Sequence, residues 1–364
     1  MAEGLYALDP EGRVTLINAS AATMLGYEEG ELLGLLAHEV IHLTEGDRAP
    51  ASERDCPLFD VRHHGTVRRE VETSFRRKDG TSFPVAYSAA PLREYLGGSG
   101  VVVVFRDITE EEAERDRMRR ELDELTWVGR IRDALDEERF VLYAQPIFAV
   151  RSGEKLCDEL LLRMVGRNDE VIPPGAFLPA AEKYGLIGEI DRRVIRKAIT
   201  LAAEGRRVEA NLSADSISDP RLLGYIESQL AESGADPADV VFELTETAVM
   251  KDVRVGESFA RGLERLGCGL ALDDFGTGFG SFSYLKLLPI RYLKVDLEFV
   301  KDLSTNTSNR HIVKAIVGLA RDFGYETIAE GVEDEETLRL LAEFGVDSAQ
   351  GFHLGRPAPI DASP

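Results

Sequence analysis

The chain has 364 residues, 44% of them hydrophobic and 30% charged. This is ordinary globular composition, so a disordered or fibrous protein is excluded, and the length fits two domains or one large domain with an appendage. Its 43 basic residues are outnumbered by 65 acidic ones, giving a net charge of −22, which argues against a general binder of nucleic-acid polymers or anionic membranes but not against a small anionic ligand held by local cations.

No apolar stretch is long enough to cross a bilayer, and the opening MAEGLYALDPEG does not read as a signal peptide. Cys56, Cys157 and Cys268 are far apart and odd in number, with no CxxC pair and no disulfide framework. A reducing cytoplasm is the simplest compartment. Cys157 and Cys268 sit in apolar runs and are expected in buried core.

Residues 1–107 read as short strands and turns around a helical patch. GLYALDPEGRVTLIN is a hairpin about the turn Asp9-Pro10-Glu11-Gly12. ASAATMLGYEEGELLG is helix-like and closes on Gly34. FRRKDGTSFPVAYSAAPL is a second hairpin around Lys78–Thr81, and GSGVVVVFRDIT is a last strand ending at Asp107. The order is two strands, helices, then three strands.

On these residues the head resembles a PAS domain. The resemblance implies an α+β sensor fold and leaves its ligand open: flavin, haem or none. A flavin photosensor would need a reactive cysteine in an NCRFLQ-like turn, which is absent. His42 or His63-His64 are candidates for a haem ligand, although surface or core places are expected for all six histidines. The helix that usually precedes the first strand of such domains is missing, so the sequence is expected to be a piece of a longer protein.

Residues 108–139 are charge-dense. Met118, Leu122, Leu125, Val128, Ile131 and Leu135 recur at three- and four-residue steps, which makes one apolar helix face. Such a helix either lies on its own domain or pairs in a parallel coiled coil that joins two heads to two bodies.

From residue 140 to 364 short apolar runs alternate with amphipathic stretches. The runs are FVLYAQPIFAV, LCDELLLRM, RVEANLS, VVFELTE, CGLALDDFG, YLKVD, ETIAEGVE and DSAQGF. Eight strands with intervening helices predict an α/β, TIM-type (β/α)8 barrel. A doubly wound sheet would require a glycine-rich phosphate turn after its first strand, and QPIFAVRSGE is not one. Polar residues come at or near the ends of these runs: Gln145, Glu159 and Arg163, Asn211, Glu243, Asp273 and Asp274, Lys294, Glu330, Gln350. In a barrel those ends converge on one mouth. Within DELLLR, Glu159, Leu161 and Arg163 share a face, so a Glu159–Arg163 ion pair is the structural alternative to a site.

Two carboxylates about 4 Å apart repel by roughly 4 kcal/mol at an effective dielectric of 20. Five acids gathered with Lys294 and Arg163 therefore call for protons or cations. All-oxygen donors without His or Cys select hard ions, Mg²⁺ or Mn²⁺, over Zn²⁺; Ca²⁺ suits the chemistry less well and is expected to inhibit. Adjacent Asp273-Asp274 can share one ion and offer a second site, the arrangement used for displacement at phosphorus.

The body resembles the EAL domain family, phosphodiesterases acting on the bacterial messenger cyclic di-GMP. The residues that carry the resemblance are QPI at Gln145, ELLLR at Glu159, NLS at Asn211, ELTE at Glu243, DDFGTGFGSFSYL from Asp273, LKVD at Leu293, AEGVE at Ala329 and QGFHLGRP from Gln350. The resemblance implies that Glu159, Asn211, Glu243 and Asp273 hold one metal ion. Asp273 bridges to a second ion, also bound by Asp274, with Glu330 and Gln350 contributing directly or through water. Lys294 positions or deprotonates the attacking water, Glu246 anchors the DDFGTG loop, and Glu333 supports the site. Gln145 and Arg163 contact substrate, Arg163 at a phosphate, and Pro357 lies where the family contacts a guanine.

Two departures stand out. Leu160 replaces the signature alanine but points away from Glu159, so little effect is expected. Phe279-Gly280 stands where the family more often has Tyr-Ser, which adds flexibility to a loop expected to couple the metals to a dimer contact. The implied activity is metal-dependent hydrolysis of cyclic di-GMP to linear pGpG by a cytoplasmic bacterial homodimer under the control of its PAS head. The alternatives are a cyclic di-GMP receptor without turnover and a dimeric signalling scaffold.

Overall fold

A computed structural model describes residues 3–28, 30–42, 54, 56, 58–95, 98–276 and 282–360. Phe279 and Gly280 lie outside them. The chain divides into two units, residues 1–123 and 124–364.

In the first unit, β1 (Gly4–Leu8), β2 (Val14–Ile17), β3 (Arg68–Arg76), β4 (Ser82–Tyr95) and β5 (Gly98–Asp107) form an antiparallel sheet of order β2-β1-β5-β4-β3. Both hairpins turn where Asp9–Gly12 and Lys78–Thr81 place them. The first helix is shorter than its pattern: it runs Ala19–Leu25, capped by the Asn18 side chain, and stops at Gly26, not Gly34. Gly26 adopts φ 75° and returns its N–H to Ala22 and Thr23, the left-handed stop that glycine takes without a steric penalty.

The core of this unit is aromatic and closes around three polar side chains. Tyr6, Phe75 and Phe105 are buried, and His42 is buried among them. The Tyr6 hydroxyl lies 2.5 Å from His42 Nε2, and Cys56 Sγ lies 3.2 Å from His42 Nδ1. Both ring nitrogens are therefore engaged within the protein. Burial pushes His42 down to about 3 and pushes Tyr6 up, so both are neutral and satisfy each other.

The helix Thr109–Asp136 follows. Its apolar stripe has two fates. Ile131 and Leu135 are buried in the core of the second unit, with Trp127 and Val128 packed against it. Met118, Leu122 and Leu125 are exposed.

In the second unit, β6 (Phe140–Ala149), β7 (Lys155–Val165), β8 (Val171–Ile172), β9 (Val208–Asn211), β10 (Val240–Thr245), β11 (Gly269–Phe275), β12 (Tyr292–Val295), β13 (Glu326–Ala329), β14 (Ser348–Ala349) and β15 (Ala358–Pro359) make one sheet. Eight of them, β6, β7 and β9 to β14, close on themselves because β6 pairs with both β7 and β14. All eight expected runs are barrel strands. The first departs from a uniform (β/α)8 pattern: β6 is antiparallel to both neighbours. The turn of Val150–Glu154 between β6 and β7 is a hairpin turn, far too short for the crossover that parallel strands require. β15 pairs with Tyr143 and Ala144 of β6, while two-residue β14 pairs with Phe148 and Ala149.

Period-two alternation sorts the side chains. Phe242 and Leu244 of β10 are wholly buried in the hydrophobic core, and between them Glu243 faces the opposite way, into the barrel. Burying one such Phe or Leu stabilises by about 1.5–3 kcal/mol, which helps hold the acidic interior together. Cys268 is buried as expected, whereas Cys157 on β7 is only half-buried, with its Sγ 3.5 Å from Glu209.

Candidate active site

Lys294 on β12 organises the interior. It is wholly buried. Its Nζ lies 2.5 Å from Glu243, 2.7 Å from Glu330, and 3.6 Å from both Glu159 and Asp273. Burial alone would push its ammonium down, but those four carboxylates together hold it well above the usual lysine value, so it is charged. Glu159 turns to Lys294, and among the described ion pairs none joins it to Arg163. The simple Glu159–Arg163 pair is thus not formed. Arg163 donates to the Leu162 carbonyl at 2.7 Å and lies over the Tyr143 ring.

A chain of amides lines one side. Gln145 faces Glu159 across the β6–β7 ladder, from mid-strand and not from a strand end, because β6 runs against its neighbours. Gln350 donates to Gln145 Oε1 at 2.9 Å and to Glu159 Oε2 at 2.7 Å, and Asn211 donates to Glu159 Oε1 at 3.0 Å. The Gln145 amide in turn donates to the Gly355 carbonyl. Gly351 permits this packing, since a Cβ there would overlap the Val332 backbone.

Adjacent residues of a strand ordinarily face opposite sides. Asp273 and Asp274 escape this through an irregularity of register between Leu272 and Phe275 of β11, where Asp274 takes φ 55°. One oxygen from each of Asp273, Asp274 and Glu330 then falls within 4.8 Å of the others. Glu246 stands apart from this group. It opens the helix Glu246–Lys251 and accepts from the Gly276 N–H at 3.2 Å, just after β11.

The charges do not balance around one lysine. Burial raises Glu243, and repulsion from Glu159 adds to it. Burial likewise raises Glu330 to about 8, and burial with the neighbouring Asp273 raises Asp274 to about 6. Buried oxygens Glu243 Oε1, Gln350 Oε1 and Glu209 Oε2 have no hydrogen-bond partner among the described residues. Excess buried carboxylate and orphaned acceptors, all oxygen, fit hard divalent cations. The residues that could hold them are Glu159, Asn211, Glu243, Asp273, Asp274, Glu330 and Gln350.

Two cavities open beside this cluster and share Leu161. One of about 780 Å³ is lined by Arg163, Asn211, Asp191 and Lys251. The other, about 420 Å³, is lined by Gln145, Glu159, Asp273, Glu330, Glu333 and Gln350. Pro357 lines neither; it precedes β15. Sequence reasoning missed Glu209, although its spacing two residues before Asn211 on β9 places it on the same face, inside the barrel. It also missed Asp191, whose carboxylate comes from the distant helix Ile187–Ala203 to accept from Ser213 N–H and hydroxyl at 3.0 and 2.7 Å. No local pattern announces that contact.

The sequence profile of the EAL domain matches residues 128–357, and that of a PAS domain matches residues 3–110. Cyclic di-GMP phosphodiesterase PdeB of Shewanella oneidensis is 37% identical over 241 residues, 64% of this chain and 28% of that protein. Cyclic di-GMP phosphodiesterase PdeF of Escherichia coli is 36% identical over 250 residues, 67% of this chain and 33% of that protein. The chain thus spans about a third of the length of these relatives. Among solved structures, the PaMucR phosphodiesterase in complex with cyclic di-GMP superposes with a TM-score of 0.62 at 35% identity, covering 65% of this chain and 98% of that one. The FimX EAL domain from Pseudomonas aeruginosa bound to cyclic di-GMP gives 0.61 at 30% identity, covering 64% and 96%. With a profile match over more than half of its length, the chain belongs to the EAL domain family.

Proposed function

We propose that the chain hydrolyses cyclic di-GMP to linear pGpG with two Mg²⁺ or Mn²⁺ ions, and that its head regulates the reaction. The observation that carries this reading is the cluster of Glu159, Glu243, Asp273 and Glu330 around buried Lys294, with Asp274 brought beside Asp273 by the irregular strand. The relatives named as cyclic di-GMP phosphodiesterases support it.

Glu159, Asn211, Glu243 and Asp273 would hold one ion, and Asp273 with Asp274 the other, with Glu330 and Gln350 completing the set. When bound, the ions neutralise the diester oxygens and acidify water, the chemistry that hydrolysis of an anionic diester needs. Arg163 pairs with a phosphate and Gln145 contacts the substrate, with Glu333 at the edge of the same cavity. Lys294 carries its proton on Nζ and orients the water by donating to it; its pairing with four carboxylates disfavours a role as the initial base. Water attacks phosphorus in line, the P–O3′ bond breaks, and the proton that the water gives up ends on the departing 3′ oxygen. Glu246 holds the backbone at Gly276 and so the end of β11.

In this reading residues 1–107 are the sensor, 108–139 the connecting helix and 140–364 the hydrolase. The active form is a homodimer through the barrel loop after Asp274 and through contacts of the connecting helix and the head, in a bacterial cytoplasm. No helix among the described residues is long and apolar enough to cross a membrane. The test is turnover of cyclic di-GMP with Mg²⁺ or Mn²⁺, with products separated by chromatography. The expected outcome is pGpG, abolished by a chelator. Tight binding without any turnover would replace the hydrolase by a receptor.

A further inference from the structure

A cyclic dinucleotide carries two anionic diesters, and in the reading above the ions and Arg163 account for one. The other must enter the mouth of a protein whose net charge is −22. The smaller cavity beside the acid cluster is lined by Glu159, Asp273, Glu330 and Glu333, and by one cation, Lys301. Lys301 follows the short helix Leu297–Val300 and is exposed. Among the described residues its ammonium makes no ion pair or hydrogen bond. A lysine unpaired in an acid-lined cavity is available to an incoming anion. Beside it, Leu297 and Phe352 line the same cavity and are 50% and 52% exposed. Arg356 lies 4.4 Å from the Phe352 ring centroid, which braces that ring. A cation next to exposed apolar faces fits a phosphate joined to a purine better than it fits an isolated phosphate.

We propose that Lys301 binds the phosphate that is not being cleaved, with Phe352 presenting a flat face to the adjoining base, so that this half of the mouth selects a cyclic dinucleotide over a simple phosphodiester. The proposal rests on the hydrolase reading above and deepens it. It is tested with the full chain and Mn²⁺ on two substrates, cyclic di-GMP and bis(p-nitrophenyl) phosphate. In Lys301→Ala the KM for the dinucleotide is expected to rise about five- to tenfold, the loss of one charge-assisted contact, with kcat within about twofold. Preference for the dinucleotide over the small diester falls by the same factor, and Lys301→Arg restores it. Lys155→Ala, which removes an equal charge at the start of β7, is expected to change KM less than about twofold. A dinucleotide KM unchanged in Lys301→Ala, or an equal loss on both substrates, overturns the proposal alone. Wild-type protein that cleaves the small diester but not the dinucleotide overturns the hydrolase reading, and the proposal with it.

Discussion

Both units bury polar groups in closed cores, and they do so in opposite ways. In the head, Tyr6 and Cys56 each contact buried His42 among aromatic rings, and Tyr6 and His42 are neutral. In the barrel, Lys294 is surrounded by more carboxylates than one ammonium can balance, and acceptor oxygens of Glu243 and Gln350 have no partner among the described residues. A satisfied neutral cluster strengthens a fold, whereas an unbalanced charged one weakens it and is sustained where a ligand supplies what is missing. The head cluster reads as architecture and the barrel cluster as a site.

The largest effect that would break this contrast is on turnover. Glu159→Ala removes the carboxylate that accepts from both Asn211 and Gln350 and faces Lys294. Activity on cyclic di-GMP is expected to fall by about a thousandfold or more, with circular dichroism unchanged. Full activity in that variant would count against every role assigned around Lys294.

Glu243→Gln separates function from stability. Burial already favours the protonated carboxyl at this position, and Gln is close to its isostere. Turnover is expected to drop by about a hundredfold or more while the melting temperature moves by only about 2 °C. A collapse of stability would mean that Glu243 is held for the fold.

Divalent ions should stabilise the barrel, because they bind the folded site and not the unfolded chain. At a hundredfold excess over Kd the gain is about 2.7 kcal/mol, or several degrees in a thermal melt with Mg²⁺ or Mn²⁺. Asp273→Asn should abolish most of that gain. An equal shift in the variant would place the ions elsewhere.

The remaining effects belong to the head and leave turnover aside. Tyr6→Phe leaves His42 Nε2 buried without its partner and is expected to cost about 1–3 kcal/mol in calorimetry of the head transition. The same histidine gives a pH dependence. Its native pKa, about 3, lies below the unfolded value of 6.5, so the unfolded chain binds the proton more readily. The stabilisation is complete above about pH 6.5 and is lost as pH falls from there toward 3, by about 1.4 kcal/mol per unit. His42→Phe should flatten that slope; an unchanged slope would show that other groups set it.

Much of this was legible in the residues. Alternation along VVFELTE and CGLALDDFG sets one polar face against an apolar one, and eight such runs leave few ways to close a sheet. The turns Asp9–Gly12 and Lys78–Thr81 fix hairpins through local chemistry. These are rules of one or two residues' reach, so a sequence states them directly. The stopping point of the first helix was misread because Gly26 ends it before the apolar spacing does.

Tertiary structure alone decided the rest. It reversed β6, which moved Gln145 from a strand end to a place opposite Glu159. It broke the period of β11 so that neighbouring acids share one rim. It gave Glu159 to Lys294 and not to Arg163, and it set Gln350 on Gln145 across 205 residues of chain. Periodicity tells which way a side chain faces, but not which distant side chain faces it. That pairing depends on how the barrel closes, and closure is a property of all its strands at once.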